Sequence, residues 1–463
     1  MRLIITLVLS LALFPATASA RELWVDPARG SDRGPATSAA PLRTVNEAWR
    51  RIPARRELRS GVTVQLRAGS YPLSAFPEYF ESRWGSLRRA QIRLRSADGP
   101  GRATLPRMNA FDVRGLVLDG VTLRSTGDVF HCERCVGVAI VRSRLIGSPA
   151  STHENIKVNQ SRDFRVRDSL ISGAEQNALD FVSVRGARLT GNTFERAQDW
   201  CAYTKGGSSN VTVTDNVFRE CGTGGYLAGQ GTGLQYMVGP FLHYEAVGTT
   251  VRRNTFRDIH GAAFGVNGAY NALFADNVAY RTGRSSHLFE AREGGRTCDP
   301  GDEAPRCRWL VRAGAWGTAE QGDGIGIPNR RVYVVRNVFA NPSSRPSQWQ
   351  HLEVTGRIDN PGNVPPPARG DTDLRFLGNV IDNGPRNHPL GIGDDDCPAT
   401  SACAPSRVRA ANRINAVRVG VQEAGGGRLR AVVPGGVPRA VEPPPRWSDR
   451  PAGEPALWSS WPR

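Results

Sequence analysis

The chain has 463 residues, with 51 Gly and 32 Pro beside 39% hydrophobic residues, a balance that excludes a helical bundle, a coiled coil and a small disulfide scaffold. Its formal charge of +17, in a chain that opens with an export signal, makes an acidic polysaccharide the expected partner and a nucleic acid not; the spread of that charge along the chain also fits general Arg enrichment. Elongated all-β architectures reach this length as one unit.

In chain order, Met1-Arg2, the apolar run Leu3 to Phe14 and Ala18-Ser19-Ala20 read as an export signal over residues 1–20, with Arg21 the expected mature start. No other stretch approaches the roughly 18 apolar residues of a membrane span. The expected product is therefore secreted or periplasmic, without a membrane span, and monomeric. Residues 21–105 form an expected N-terminal cap and first coils. Leu23-Trp24-Val25-Asp26 reads as a strand, and Thr44 caps an amphipathic helix carrying Val45, Ala48, Trp49 and Ile52 on one face, suited to covering the open end of a stack. Gly61 to Tyr71 and Gln91 to Arg95 alternate as strands.

A short motif then recurs through residues 106–390: an apolar step, a polar residue, another apolar step. Its polar positions are Asp119, Ser143, Asp168, Asn192, Asn216, Asn254, Asn277, Asn337 and Asn379, separated by 24, 25, 24, 24, 38, 23, 60 and 42 residues. A period near 24 suits one coil of a parallel β-helix, the longer gaps marking insertions at about 231–248 and 293–329. The fold class is thus all-β, a single-stranded right-handed parallel β-helix with an N-terminal capping helix. Coils stacked about 4.8 Å apart pair each strand above and below. A buried Asn at each turn needs backbone or the next Asn as partner, so the column is expected to be a structural ladder. Residues 391–463 read as a C-terminal loop and Pro-rich tail.

Eight cysteines in an exported chain favour disulfides. Cys298 with Cys307 and Cys397 with Cys403 each staple one loop; Cys201 and Cys221, nearly one coil apart, either bridge or fill core. Cys132 and Cys135 form a lone CxxC, a weak signal for zinc or redox chemistry.

Trp24-Val25-Asp26 through Gly30-Ser31-Asp32, Pro41-Leu42-Arg43-Thr44 and the Asn-[Thr/Val]-[Phe/Ile] coil signature resemble the pectate lyase-like superfamily over most of residues 22–390. That resemblance implies architecture more than chemistry. Lys205-Gly206-Gly207-Ser208-Ser209-Asn210 followed by Asp215-Asn216 resembles the lysine-serine-asparagine stretch of the chondroitinase B and alginate lyase family, which implies Lys205 as proton-abstracting base. Where that family carries two calcium-binding glutamates this chain has Gln198, Asp199 and Trp200, and its arginine one coil later finds Leu227, Ala228, Gly229 and Gln230.

Lysine usage supports the same choice. Lys157 and Lys205 are the only two lysines, Arg supplying the other 58 basic side chains. Arg cannot act as a neutral base, whereas a lysine amine can. The two lie 48 residues apart, two coils, so both are expected on one wall, with Asp180 between them at nearly the same register. β-Elimination from a uronate needs a base, a cation on the carboxylate and an acid for the leaving oxygen. The expected base is Lys205, the expected clamp Lys157 or Arg292, and the expected acid His243 or Tyr244. Calcium is a candidate cofactor, held by Asp180, Asp199 and Glu154. Gln230, Asn267 and Glu290 are candidate substrate contacts. Asp394-Asp395-Asp396 reads as solvated surface. A β-helix glycoside hydrolase and a noncatalytic carbohydrate-binding protein are the competing functions, the hydrolase drawing on Asp180 and Asp199 as its carboxylate pair.

Overall fold

The computed structural model describes residues 20–299, 303–319, 324–393 and 395–438. The expected export signal up to Ser19, the tail beyond residue 438, Gly322-Asp323 and Asp394 lie outside the described residues.

Strands recur three to a coil. Arg165–Arg167, Leu170–Ala174 and Asn177–Val182 complete one coil, and Arg188–Thr190 starts the next, parallel to Arg165–Arg167. Repetition builds three long parallel sheets of 13, 12 and 10 strands, called I, II and III here in the order the chain visits them. This is the expected parallel β-helix. Inward residues of successive coils stack on their own kind; Phe194, Phe218 and Phe256 lie with ring centroids 5.2 and 4.8 Å apart. Such identical neighbours are what a repeat with a fixed inward position must bring together.

The turn from sheet I to sheet II carries the ladder. Asn192, Asn216, Asn254, Asn277, Asn337 and Asn379 are buried, and each amide nitrogen donates to the Oδ1 of the next Asn at 2.8 to 3.0 Å, the last to Asn412. Each also donates to a backbone carbonyl, as Asn254 does to Val213 at 2.9 Å. The residue before each Asn takes a left-handed turn; φ is 69° at Gly191, 59° at Asp215 and 54° at Arg253. Asp168 is such a turn residue, and the ladder member of its coil is Ser169, which accepts from the Ser143 amide. Asp119 likewise stands outside the ladder, binding Arg93 and Arg142. Asn254→Ala deprives Asn216, Val213 and Asn277 of partners inside the core. Unfolding in denaturant should show a loss of about 3 kcal/mol.

Helix α1 (Val45–Arg50) closes the N-terminal end, with Thr44 Oγ1 accepting from the Glu47 amide at 3.1 Å and Val45, Ala48 and Trp49 buried. It packs on the strand Arg21–Val25. All four cysteine pairs are disulfides, including Cys132–Cys135 and Cys201–Cys221. At the other end the stack runs past residue 390 to the strand Arg413–Ile414. A hairpin of Gly420–Glu423 and Leu429–Val432 folds back, the Leu429 amide donating to Thr255 at 3.0 Å.

The two insertions meet. Gly231–Gly233 pairs with Gly294–Thr297, which pairs with Ile325–Ile327, and helix α2 (Ala304–Arg312) lies beside them. A buried ion pair joins them to the main body: Arg296 contacts Glu245 at 2.7 Å with both side chains fully enclosed. The other Glu245 oxygen accepts from the Gly206 amide at 2.8 Å, next to Lys205.

Candidate functional site

Side chains of sheet III alternate inward and outward, so one outward position repeats in register from coil to coil. It runs His131, Lys157, Asp180, Tyr203, Leu227, Gly265, Glu290, Glu353. Two residues further along the strands a second outward line holds Asn159, Val182 and Lys205, then Gly229, Asn267 and Arg292. Both lysines therefore emerge from one wall. They are separated by about 10 Å along the axis and about 7 Å along the strands.

Their surroundings differ sharply. Lys157 Nζ bonds Asp180, which is fully buried, and lies 3.8 Å from Glu154. Burial alone would push its amine down, but Asp180 and Glu154 outweigh burial and hold it protonated above the ordinary lysine value. Lys157 is thereby unsuited as a base, and its ammonium is already shared by two buried carboxylates. The same contact bears on the calcium donors. Asp180 and Glu154 are turned to an ammonium, and among the described residues no group of three or more His, Cys, Asp and Glu converges as a metal ion requires. The proposed calcium donors do not fit a cation in this arrangement.

Lys205 Nζ instead donates to Gln230 at 2.8 Å and lies 4.7 Å from the centre of the Tyr203 ring. The Tyr203 hydroxyl accepts from Asn177 at 3.2 Å, and burial followed by the charges of Asp180 and Glu154 raises its phenol far above the ordinary value. Asp199 lies within electrostatic reach of both Lys205 and Glu290; burial raises its carboxyl, so it keeps a proton to higher pH than an exposed aspartate.

Beyond Lys205 the strands pack closely. Gly229 has φ of 101°, and a Cβ there would lie 1.7 Å from the Asn267 carbonyl oxygen. A Cβ on Gly265 would lie 2.4 Å from the Glu290 side chain, so both glycines are covered by their neighbours. Leu227, Gly229, Gly265 and Asn267 separate Tyr203 and Lys205 from Glu290 and Arg292 on the outer face of sheet III, a strip with glycine at two of its four positions that is called the furrow here. Asn267 stands in it, its buried Oδ1 without a hydrogen-bond partner.

The far side of the furrow is a carboxylate pair on adjacent strands. His287, fully buried, contacts Glu290 at 3.2 Å and Glu353 at 2.7 Å, and Arg292 contacts Glu353 at 2.6 Å. Burial lowers the His287 pKa, but the two glutamates outweigh it and raise the imidazole above its ordinary value of 6.5. A raised folded value means this stabilisation is complete below pH 6.5 and is lost as pH rises through the folded pKa. Thermal scans from acidic to alkaline pH should show wild type losing its advantage over His287→Gln above neutrality. An unchanged difference across the range would show that His287 does not titrate in this way.

The expected acids do not reach the furrow. His243 stacks on Trp316 at 4.5 Å with Nε2 at 2.9 Å from the Gly314 carbonyl, and Tyr244 packs between Tyr270 and Trp316. Both are buried in the aromatic cluster that fixes the insertions, and burial holds His243 below the ordinary histidine range. The structure therefore brings together Lys205, Gln230, Asn267, Asp199, Glu290 and Arg292, and sets Lys157, Asp180 and Glu154 apart as a buried triad. Tyr203, Gly229, Gly265, His287 and Glu353 were not singled out from sequence. For Glu353 the alternation His351-Leu352-Glu353-Val354 was a usable strand signal.

No family model matches the sequence, and no curated protein matches it. Solved structures do. A mannuronan C-5 epimerase A-module from Azotobacter vinelandii is 11% identical, with a TM-score of 0.44 over 72% of this chain and 88% of its own. A rhamnogalacturonan lyase is 12% identical, TM-score 0.39, over 82% and 91%. A surface protein and adhesin of Streptococcus pneumoniae is 10% identical, TM-score 0.42, over 69% and 83%. At identities of 10–12% and TM-scores below 0.5 the likeness assigns neither activity nor substrate to this chain. The chain is a disulfide-bonded parallel β-helix, and among its described residues no helix is long and apolar enough to cross a membrane. Its chemistry has to be read from its own side chains.

Proposed function

We propose that the protein is an exported enzyme that cleaves an acidic, uronate-containing polysaccharide by β-elimination in the furrow of sheet III. The observation that carries this reading is the position of Lys205, an amine that donates to a neutral amide and lies over an aromatic ring at the edge of the strip holding Gly229 and Asn267. A uronate lying over Gly229 and Asn267 would meet Lys205 on one side and Arg292 on the other. Arg292, half exposed although two of its nitrogens contact Glu353, offers its remaining N–H groups to the carboxylate and acidifies C5; Lys205, as base, takes the C5 proton. The C4–O bond breaks, a C4–C5 double bond forms, and the leaving oxygen receives a proton from Asp199, whose raised carboxyl can supply one. Asn267 gives a partner to a sugar hydroxyl. This scheme uses side-chain cations alone.

The test is a panel of uronate polymers, with near-ultraviolet absorbance of the unsaturated product as readout. Activity on at least one polymer, retained after chelator treatment, is expected. Loss on chelation would return calcium to the mechanism.

One observation favours a second reading. Glu290 and Glu353 lie in register on neighbouring strands, about 5 Å apart along the axis, near the carboxylate separation of retaining glycoside hydrolases. New reducing ends without absorbance would identify that chemistry.

A further inference from the structure

A second concave site lies away from the furrow floor. Where the chain turns from sheet II toward sheet III, the segments after Thr255–Arg257, Val278–Tyr280 and Val338–Asn341 enclose a cleft of about 480 Å³. Its polar lining includes Asp258, His260, Arg281, Arg284, Ser344 and Arg345. That volume lies within the range of small-ligand sites.

The charges are unevenly matched. Arg281 contacts Asp258 through Nε at 2.6 Å and Nη2 at 2.8 Å, which uses the one acid of the lining. Arg284 and Arg345 are exposed and have no ion-pair partner among the described residues. Arg281, Arg284 and Arg345 against the single Asp258 leave the cleft an excess of two positive charges from its arginines and acid. Some coil arginines face an acid of a neighbouring coil, as Arg253 does Asp215 and Arg336 does Asp276. Arg284 and Arg345 instead border one concavity together. Guanidinium forks fit planar carboxylate and sulfate oxygens in paired hydrogen bonds, and a concave wall strengthens them relative to open surface.

We propose that this cleft binds the sulfate or carboxylate group of a sugar residue, as an accessory subsite distinct from the furrow. The oxyanion class follows from the cleft itself; its attachment to a sugar rests on the acidic-glycan reading above.

The full chain carrying Lys205→Ala, which cannot consume a substrate by the proposed route, is titrated calorimetrically with a sulfated disaccharide, a uronate disaccharide, a neutral disaccharide and inorganic sulfate. The triple variant Lys205→Ala, Arg284→Ala, Arg345→Ala is titrated in parallel. Saturable binding of one charged disaccharide is expected, weakened tenfold or more in the triple variant and falling with added salt. Equal affinity in both proteins, or equal binding of the neutral disaccharide, overturns the proposal. Inorganic sulfate binding as tightly as the disaccharide overturns the assignment to a sugar. The two readings fail separately: Lys205→Ala retaining elimination defeats the furrow mechanism and leaves the cleft result standing. Absence of saturable disaccharide binding to Lys205→Ala, with elimination by the wild type intact, does the reverse.

Discussion

Lys205→Ala is expected to lower the rate of unsaturated-product formation by between about a hundredfold and ten-thousandfold, the usual span for removing a positioned general base. The fold should hardly notice. Lys205 is partly exposed, and its described contacts are one hydrogen bond to Gln230 and one ring contact with Tyr203. A cation over a ring at such a site is worth about 0.5–1 kcal/mol. The melting temperature should thus shift by a few degrees at most. Lys205→Arg is the sharper control, because it keeps the charge and the ring contact but cannot supply a neutral amine. It should be as inactive as the alanine variant while binding polymer about as well as wild type. Activity in the arginine variant would mean that Lys205 acts by charge, and the base would have to be sought elsewhere in the furrow.

Lys157→Met should have the opposite profile, a large loss of stability and a small effect on turnover of the folded protein. The ammonium it removes is the partner of Asp180, which has no exposed surface, and the near neighbour of buried Glu154. Removing one member of such a set leaves an uncompensated buried carboxylate, at a cost of about 3–5 kcal/mol. Denaturant unfolding would measure it. The double variant Lys157→Met, Asp180→Leu should recover much of the loss, since apolar groups of similar size replace the pair. Failure of the double variant to recover would show that Asp180 is needed for another reason, most simply its place beside Tyr203. If instead Lys157→Met folds normally and abolishes turnover, Lys157 belongs to the catalytic set after all.

The coil architecture was legible because repetition amplifies a weak signal. No single Thr-Gly-Asn or Arg-Arg-Asn step identifies a turn, but recurrence near 24 residues does, and the helix after Thr44 carried both its cap and its apolar face in sequence. Ladder membership was less legible at the polar positions that are not Asn. Asp168 and Ser169 are adjacent, and a left-handed φ of 51° at Asp168 decides that the serine points inward. The insertions were located but not their purpose. His243 and Tyr244 look like exposed acid-base groups in a polar loop until Trp316 and Tyr270, distant in sequence, enclose them.

By itself the sequence determined the stacking, the two loop staples Cys298–Cys307 and Cys397–Cys403, and the fact that both lysines leave the same sheet, because a 48-residue spacing is two whole coils; the structure decided the pairs Cys132–Cys135 and Cys201–Cys221. Only the tertiary structure decided which lysine is free. Strand register sets Asp180 directly beside Lys157, whereas Lys205 leaves the same face two residues further along the strands, where it meets Gln230. The amine that meets a buried carboxylate becomes part of the scaffold, and the amine that meets a neutral amide is left for chemistry.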